Sequence, residues 1–186
     1  MRIISGKFKG KKINLPKDKN TRPLRDLVKE SIFNVIEHSN KIKIKISESI
    51  ILDLFSGSGS FGLEAISRGA NKCHFIENYS NALEILSKNV KHLKCEDYCN
   101  ITNLDSFDFI ENLQTKELET DIIFLDPPFK EKKINFLIEK ILEKKILNKN
   151  GILILHRHKN DDIKITKKLN IIDSRNYGIS KILFAN

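Results

Sequence analysis

Paired cysteines, membrane-length apolar runs and acids near the amino terminus are all missing from this sequence. Only three cysteines occur, Cys73, Cys95 and Cys99. An odd number without C-x-x-C spacing excludes a disulfide framework and falls short of a zinc site, so no metal is expected. No secretory leader precedes them, and they read as reduced thiols in a cytoplasmic protein. No apolar stretch approaches the roughly 20 residues that cross a bilayer, so no membrane partner is expected. At 186 residues the chain can bury a core without staples. One domain of ordinary size with a modest extension is expected, as a monomer.

The missing acids are the more informative absence. Residues 1–30 hold ten basic groups against Asp18, Asp26 and Glu30, which is +7 of the formal +9. The remaining 23 basic and 21 acidic groups nearly cancel. A positive arm on a balanced body suits a polyphosphate partner. AT-rich codon usage would also explain many lysines, but not the lack of acids at one end.

Patterning divides the chain into an N-terminal extension, residues 1–40, and a main domain, residues 41–186. The opening RIISGKFKGKKINL predicts a hairpin of Arg2–Ser5 and Lys12–Leu15. Thr21 is a plausible N-cap, Pro23 sits near a first helical position, and helical spacing runs from Leu24 to His38. KIKIKI (41–46) alternates strictly, as an edge strand or a solvated connection. Strands are expected at Ile50–Phe55, Lys72–Glu77, Tyr98–Leu104, Asp121–Leu125 and Gly151–Leu155. Helices are expected at Ser60–Arg68, Ser80–His92 and Ile134–Lys144. Such alternation predicts an α/β fold, a parallel sheet covered on both faces. Residues 171–184, around Tyr177-Gly178, predict a closing antiparallel hairpin.

In such sheets ligands bind beyond the carboxyl ends of the strands. The first strand ends in Asp53-Leu-Phe-Ser-Gly57-Ser-Gly59-Ser-Phe-Gly62, whose glycines permit a sharp turn into a helix N-terminus. The same spacing fits a dinucleotide fingerprint, so a nicotinamide dehydrogenase is compatible with it. Asp53 points elsewhere: it would crowd a pyrophosphate but welcome a cationic ligand, or else cap the loop's own amides. Asp126-Pro127-Pro128-Phe129 follows the strand IIFL. Two prolines fix the chain path, leaving the Asp126 carboxylate and the Pro127 carbonyl as rigid acceptors for an exocyclic amino group. Phe129 offers a face for an unstacked base. A plain Pro-Pro turn is the simpler alternative. Glu77 could accept ribose hydroxyls and Asp105 an adenine amine, or either could serve as a helix N-terminal acid.

The series LDLFSGSGSFGLEA, FIEN, LDSFDFI and IIFLDPPF resembles the motif order of class I amino-methyltransferases. In detail the chain is similar to the RsmD family, bacterial 16S ribosomal RNA guanine-N2 methyltransferases. RIISGKFKGKKI and RPLRDLVKESIFNVI resemble that family's N-terminal hairpin and helix, and RNYGISKILF its last strands, so the resemblance covers nearly the whole chain. It implies a doubly wound, Rossmann-like, mostly parallel sheet of seven strands, the last antiparallel. It also implies S-adenosylmethionine as cofactor and 16S rRNA of an assembled or assembling small subunit as partner. By position, Asp53, Phe55, Ser56, Gly57 and Gly59 would cradle the methionine part. Glu77, with Asn78, would hold the ribose, and Asp105 and Ser106 would flank the adenine. Asp126, Pro127, Pro128 and Phe129 would grip the guanine amine. Lys7, Lys9, Lys11 and Lys12, with Arg22 and Arg25, would contact RNA phosphates.

One departure stands out. The family tends to carry an acid after the fifth strand, where this chain reads His156-Arg157-His158. A basic rim facing RNA is expected there. An adenine-N6 or cytosine-N4 methyltransferase would suit the same amine clamp, in DNA or RNA. A non-catalytic RNA-binding factor would have no use for it.

Overall fold

A computed structural model of the chain describes residues 1–18, 23–161 and 165–186. The expected α/β alternation is present. Helix α1 (Asp26–His38) precedes β1 (Ile50–Leu54), α2 (Ser60–Ser67), β2 (Lys72–Glu77), α3 (Ser80–Leu93) and β3 (Cys99–Asn103). Then follow α4 (Ser106–Asn112), β4 (Thr120–Leu125), α5 (Ile134–Glu143), β5 (Leu147–His158), β6 (Ile171–Tyr177) and β7 (Ser180–Ala185). The seven strands form one sheet in the order β3-β2-β1-β4-β5-β7-β6. All are parallel except β7, which runs antiparallel to β5 and β6. The winding reverses between β1 and β4, where a doubly wound sheet opens a crevice.

Successive strand residues face opposite sides, and the core divides accordingly. Ile51, Phe75, Ile122, Phe124, Ile152, Ile154, Ile182 and Phe184 pack toward α1, α2 and α3. Leu52, Leu54, Ile123, Leu125, Leu153 and Leu155 pack toward α4 and α5. Aromatic stacking ties the first layer together: Phe61 lies 4.0 Å from Phe124 and 5.0 Å from Phe33, centroid to centroid.

Several boundaries differ from the sequence expectation. Helix α1 starts at Asp26 behind an extended Arg25, two residues later than expected, and Thr21 lies outside the described residues. Its buried Val28, Ile32, Phe33 and Ile36 keep helical spacing. The N-terminal hairpin is reduced to one antiparallel bridge, Arg2 with Lys12, because Gly6 and Gly10 turn the chain at once. Of the two readings of KIKIKI, the solvated connection is the one that forms: its isoleucines turn inward and its lysines outward without ladder hydrogen bonds. The short α4 has too few residues to show helical periodicity, and β5 extends through the polar residues 156–158.

A buried charge cluster fastens the N-terminal segment to α2. The Glu64 carboxylate is fully buried and accepts from the Ile4 amide at 2.7 Å, the Ser5 amide at 2.9 Å and Arg68 Nε at 2.9 Å. Lys29 of α1, equally buried, lies 3.5 Å from it and donates to the Arg2 carbonyl. Burial holds the Lys29 ammonium below its usual pKa, with Glu64 and Asp26 opposing that shift. Removing one member of a buried pair typically costs about 3–5 kcal/mol. Glu64→Leu leaves the Ile4 and Ser5 amides without their acceptor and takes the buried carboxylate from Lys29 and Arg68, and it should lose that much in urea unfolding. Lys29→Met leaves Glu64 with its other donors and should cost only about 1–3 kcal/mol. Equal losses in the two variants would show that Glu64 does not hold the hairpin.

Candidate functional site

The site grows from the end of β1. Asp53 is 1% exposed and shares the Ile51 face, turned toward α2. Its Oδ2 accepts from the Gly62 amide at 3.0 Å, so the loop-capping role open from the sequence is realised. Beyond it the backbone enters the left-handed region at Phe55, φ 63°, a strained conformation for a large side chain. Gly57 and Gly59 also take positive φ. A Cβ on Gly59 would come within 2.4 Å of Leu86, so the turn closes tightly over α3. The Glu77 carboxylate accepts from the amides of Gly57 at 2.7 Å, Asn78 at 3.0 Å and Tyr79 at 2.8 Å. The ends of β1 and β2 are thereby locked together.

This turn opens into a cavity of about 650 Å³, a volume suited to a small organic ligand. Asp53, Phe55, Ser56, Gly57, Glu77 and Asn78 line one side. Asp126, Pro127, Pro128 and Phe129 line the other, with Phe61 and Phe124 between. Gly59, Asp105 and Ser106 are outside the lining. Asp105 caps α4 by accepting the Phe107 amide at 2.8 Å and also accepts from Asn78 Nδ2 at 3.1 Å. Ser106 Oγ accepts from the Phe55 amide at 3.2 Å. These two residues support the turn and Asn78 from behind. Burial pushes the Asp53 carboxyl well above its usual pKa; the Gly62 amide opposes this, while the Asp126 and Glu77 charges add to it. Such an environment favours a cationic ligand group.

The expected basic rim at residues 156–158 is overturned at its first two positions. His156 and Arg157 are each 3% exposed, too buried to meet RNA. His156 Nδ1 pairs with Asp126 Oδ1 at 2.8 Å, and its Nε2 with Ser180 Oγ at 2.8 Å. Arg157 donates to the carbonyls of Pro128, Phe129 and Glu131 and pairs with Asp161. The Phe129 ring stands edge-on to His156 and His158, at 5.7 and 5.2 Å. The three residues therefore brace the Asp126–Phe129 wall. Long-range pairing of this kind leaves no local signal; the only hint was polar residues continuing an apolar strand. Among the described residues no cluster could hold a metal ion, and no helix is long and apolar enough to cross a membrane.

The N-terminal segment supplies further wall that sequence reasoning missed: Leu15, Pro16, Pro23 and Leu24. Buried Asn89 of α3 clamps it, exchanging hydrogen bonds with the Asn14 backbone and donating to the Ser58 carbonyl. Lys7, Lys9, Lys11 and Lys12 are exposed on the hairpin. Lys7 Nζ sits 3.9 Å above the Tyr98 ring, and its amide donates to the Ser67 carbonyl. The hairpin thus rests on the far end of α2, about 12 Å from the glycine turn at 1.5 Å rise per residue. Arg25 is exposed beside the cavity wall at the start of α1. Arg22 lies outside the described residues.

Comparison with known proteins is consistent over the full length. Residues 1–186 match the family model described as Conserved hypothetical protein 95. "Ribosomal RNA small subunit methyltransferase D" of Haemophilus influenzae is 32% identical over 96% of this chain and 90% of its own. The protein of the same name from Buchnera aphidicola (subspecies Baizongia pistaciae) is 33% identical over 100% of this chain and 90% of its own. Among solved structures, a putative methyltransferase from Escherichia coli superposes with a TM-score of 0.84 at 25% identity, covering 100% of this chain and 96% of that one. A putative methylase from Haemophilus influenzae gives 0.79 at 29% identity, covering 99% and 96%.

The buried charge on Asp53 should be measurable without any ligand. Its folded pKa exceeds the unfolded value, so its contribution is complete below the unfolded pKa and is lost as pH rises through the folded one. Asp53→Asn keeps an acceptor for Gly62 and removes the titration. Between pH 4 and the raised pKa, wild-type stability should fall relative to that of Asp53→Asn. Parallel stability–pH curves for the two proteins in urea unfolding would disprove the buried ionisation.

Proposed function

This chain belongs to the RsmD family, whose model it matches from end to end, and on that premise we propose that it methylates the exocyclic N2 amine of a guanine in 16S ribosomal RNA, with S-adenosylmethionine as donor. The substrate is the assembled or assembling small subunit. The observation that carries the reading is the single cavity shared by buried Asp53 and the rigid wall Asp126–Phe129. Relatives named as ribosomal RNA methyltransferases support the reaction class. The choice of guanine N2 rests on the resemblance of both chain ends to the family.

The residues present fit the proposed cofactor. Asp53 offers a buried carboxylate to its ammonium group, the turn at 55–59 brings backbone close to the methionine part, and Glu77 stands at the strand end where a ribose is held. Asp105 and Ser106 reach the adenine side through Asn78 and Phe55. When bound, S-adenosylmethionine supplies an electrophilic methyl group on a sulfonium. Asp126 and the Pro127 carbonyl accept the two N–H bonds of the amine and draw its lone pair out of conjugation with the ring. Phe129 stacks on the unstacked base, worth about 1–3 kcal/mol. A methylated ammonium is far more acidic than the free amine, so Asp126 receives its proton after transfer and no strong base is required beforehand. Most of the rate enhancement is therefore positioning.

Asp126→Ala should reduce turnover by roughly 100-fold or more while leaving cofactor affinity within about twofold. Methylated nucleosides in ribosomal RNA, compared by mass mapping with and without the protein, should differ by one N2-methylguanosine. An N6-methyladenosine or N4-methylcytidine instead would reassign the base, and no difference would leave only a binding role.

The extension at residues 1–40 carries the proposed phosphate footprint. RNA affinity should fall steeply with salt, and each lysine lost from that footprint should lower the log–log slope by about one. Charge reversal at Lys7, Lys9 and Lys11 should flatten the slope. A slope unchanged by all three reversals places the RNA elsewhere.

A further inference from the structure

The strand parity that brings Asp126 into the cavity continues behind it. β5 places His156 on the same face as Ile152 and Ile154, and β7 places Ser180 on the face of Ile182 and Phe184. The outcome is a line of three polar side chains: Asp126 Oδ1 to His156 Nδ1 at 2.8 Å, and His156 Nε2 to Ser180 Oγ at 2.8 Å. His156 and Ser180 are 3% and 5% exposed, so water competes little for either bond. An ionised carboxylate can only accept, which assigns a proton to Nδ1 and makes His156 the donor. Ser180 holds the opposite nitrogen and with it the ring plane. The Phe129 edge contact and the Arg157 bonds to the carbonyls of Pro128 and Phe129 hold the same wall from two other directions.

We propose that His156, anchored by Ser180, is a positioning residue that fixes the Asp126 carboxylate in the orientation the substrate amine requires. The inference rests on the reading of Asp126 as the amine acceptor. A carboxylate free to rotate would satisfy the amine geometry only part of the time. A donor locked by its own second bond removes that freedom before substrate arrives. His156 is absent from the lining of the cavity that Asp53 and Asp126 share, so its loss should act on kcat and spare binding.

Three variants test this. His156→Phe keeps an aromatic edge for Phe129 and removes the donor. His156→Asn places an amide N–H near the Nδ1 position and gives up the bond to Ser180. Ser180→Ala releases the ring alone. Expected in His156→Phe is a kcat loss of about 10- to 100-fold, the equivalent of one charge-assisted hydrogen bond, with KM for both substrates within about twofold. His156→Asn and Ser180→Ala each keep a donor for Asp126 without its anchor, so both should fall between His156→Phe and wild type. Melting temperature and cofactor affinity, measured by calorimetry, should not follow the same ranking. The proposal is overturned by a kcat near wild type in His156→Phe, by His156→Asn as poor as His156→Phe, or by kcat losses that track melting temperature. Should His156→Phe fail to fold, a kcat unchanged in both His156→Asn and Ser180→Ala overturns it equally. An inactive wild type on ribosomal RNA refutes the functional reading instead, whereas an active wild type with indifferent variants refutes only this role for His156.

Discussion

Register between β1 and β4 pairs Asp53 with Phe124 and Leu54 with Leu125, so the residue after β4, Asp126, emerges beside the turn after β1. Strand alternation then decides which side chains meet. Positions 51 and 53, 75 and 77, 122, 124 and 126, 152, 154 and 156, and 180, 182 and 184 all point toward the layer of α1 and α2. The apolar members of that set build the core, and the polar members, one step beyond it, build the site. Asp53, Glu77, Asp126, His156 and Ser180 are the upper course of one packed wall. Slipping any of these strands by one residue would send its polar member to the opposite face. The hydrophobic core therefore sets the site geometry: each apolar residue below holds the register of the functional one above.

Carboxylates brought together in this way repel one another and resist burial. Each is offset by a different device. Gly62 donates to Asp53, three backbone amides gather on Glu77, and His156 donates to Asp126. Asp53 is compensated least, having lost the most water, and its raised pKa records that. The N-terminal extension then closes the remaining side. Glu64 and Lys29 anchor its start, Asn89 anchors Asn14, and Leu15, Pro16, Pro23 and Leu24 complete the cavity wall. The segment whose charge suggested an RNA-binding arm is a structural part of the pocket.

The sequence made the left half of this site legible and the right half obscure, for a physical reason. Asp53, the glycines and Asp126-Pro-Pro-Phe announce themselves because a carboxylate inside an apolar strand, a positive-φ turn and a double proline each carry local constraints. The five main strands follow from short apolar runs between turn signals. His156 and Arg157 read as surface because polarity is a local property, whereas their burial depends on partners far along the chain. Asp126 and Ser180 lie 30 and 24 residues from His156, and the carbonyls held by Arg157 lie 26 to 29 residues away. KIKIKI left an edge strand and a solvated connection open, and the connection is what forms: alternation reports which side chains turn inward, but a strand also needs a hydrogen-bonded neighbour. Asp105 was ambiguous because a helix cap and a ligand contact ask for the same residue at the same place.

The proposed reaction brings together ligands of opposite charge, a sulfonium cofactor and a polyanion, on one small protein. A cavity lined by Asp53, Glu77 and Asp126 attracts the first and repels the second. The hairpin lysines attract the second from the far end of α2, while Lys130 lines the cavity itself and Arg25 stands beside its wall. At physiological ionic strength fields decay over about 8 Å, shorter than the roughly 12 Å length of that helix, so the hairpin lysines act mainly outside the cavity. Phosphates can then be held outside while only an uncharged base enters among the carboxylates. That division asks the base to leave its stack, which is what an aromatic face at Phe129 and a rigid pair of acceptors at Asp126 and Pro127 are suited to receive. The formal charge of +9 and the acidic pocket are two parts of the same electrostatic arrangement.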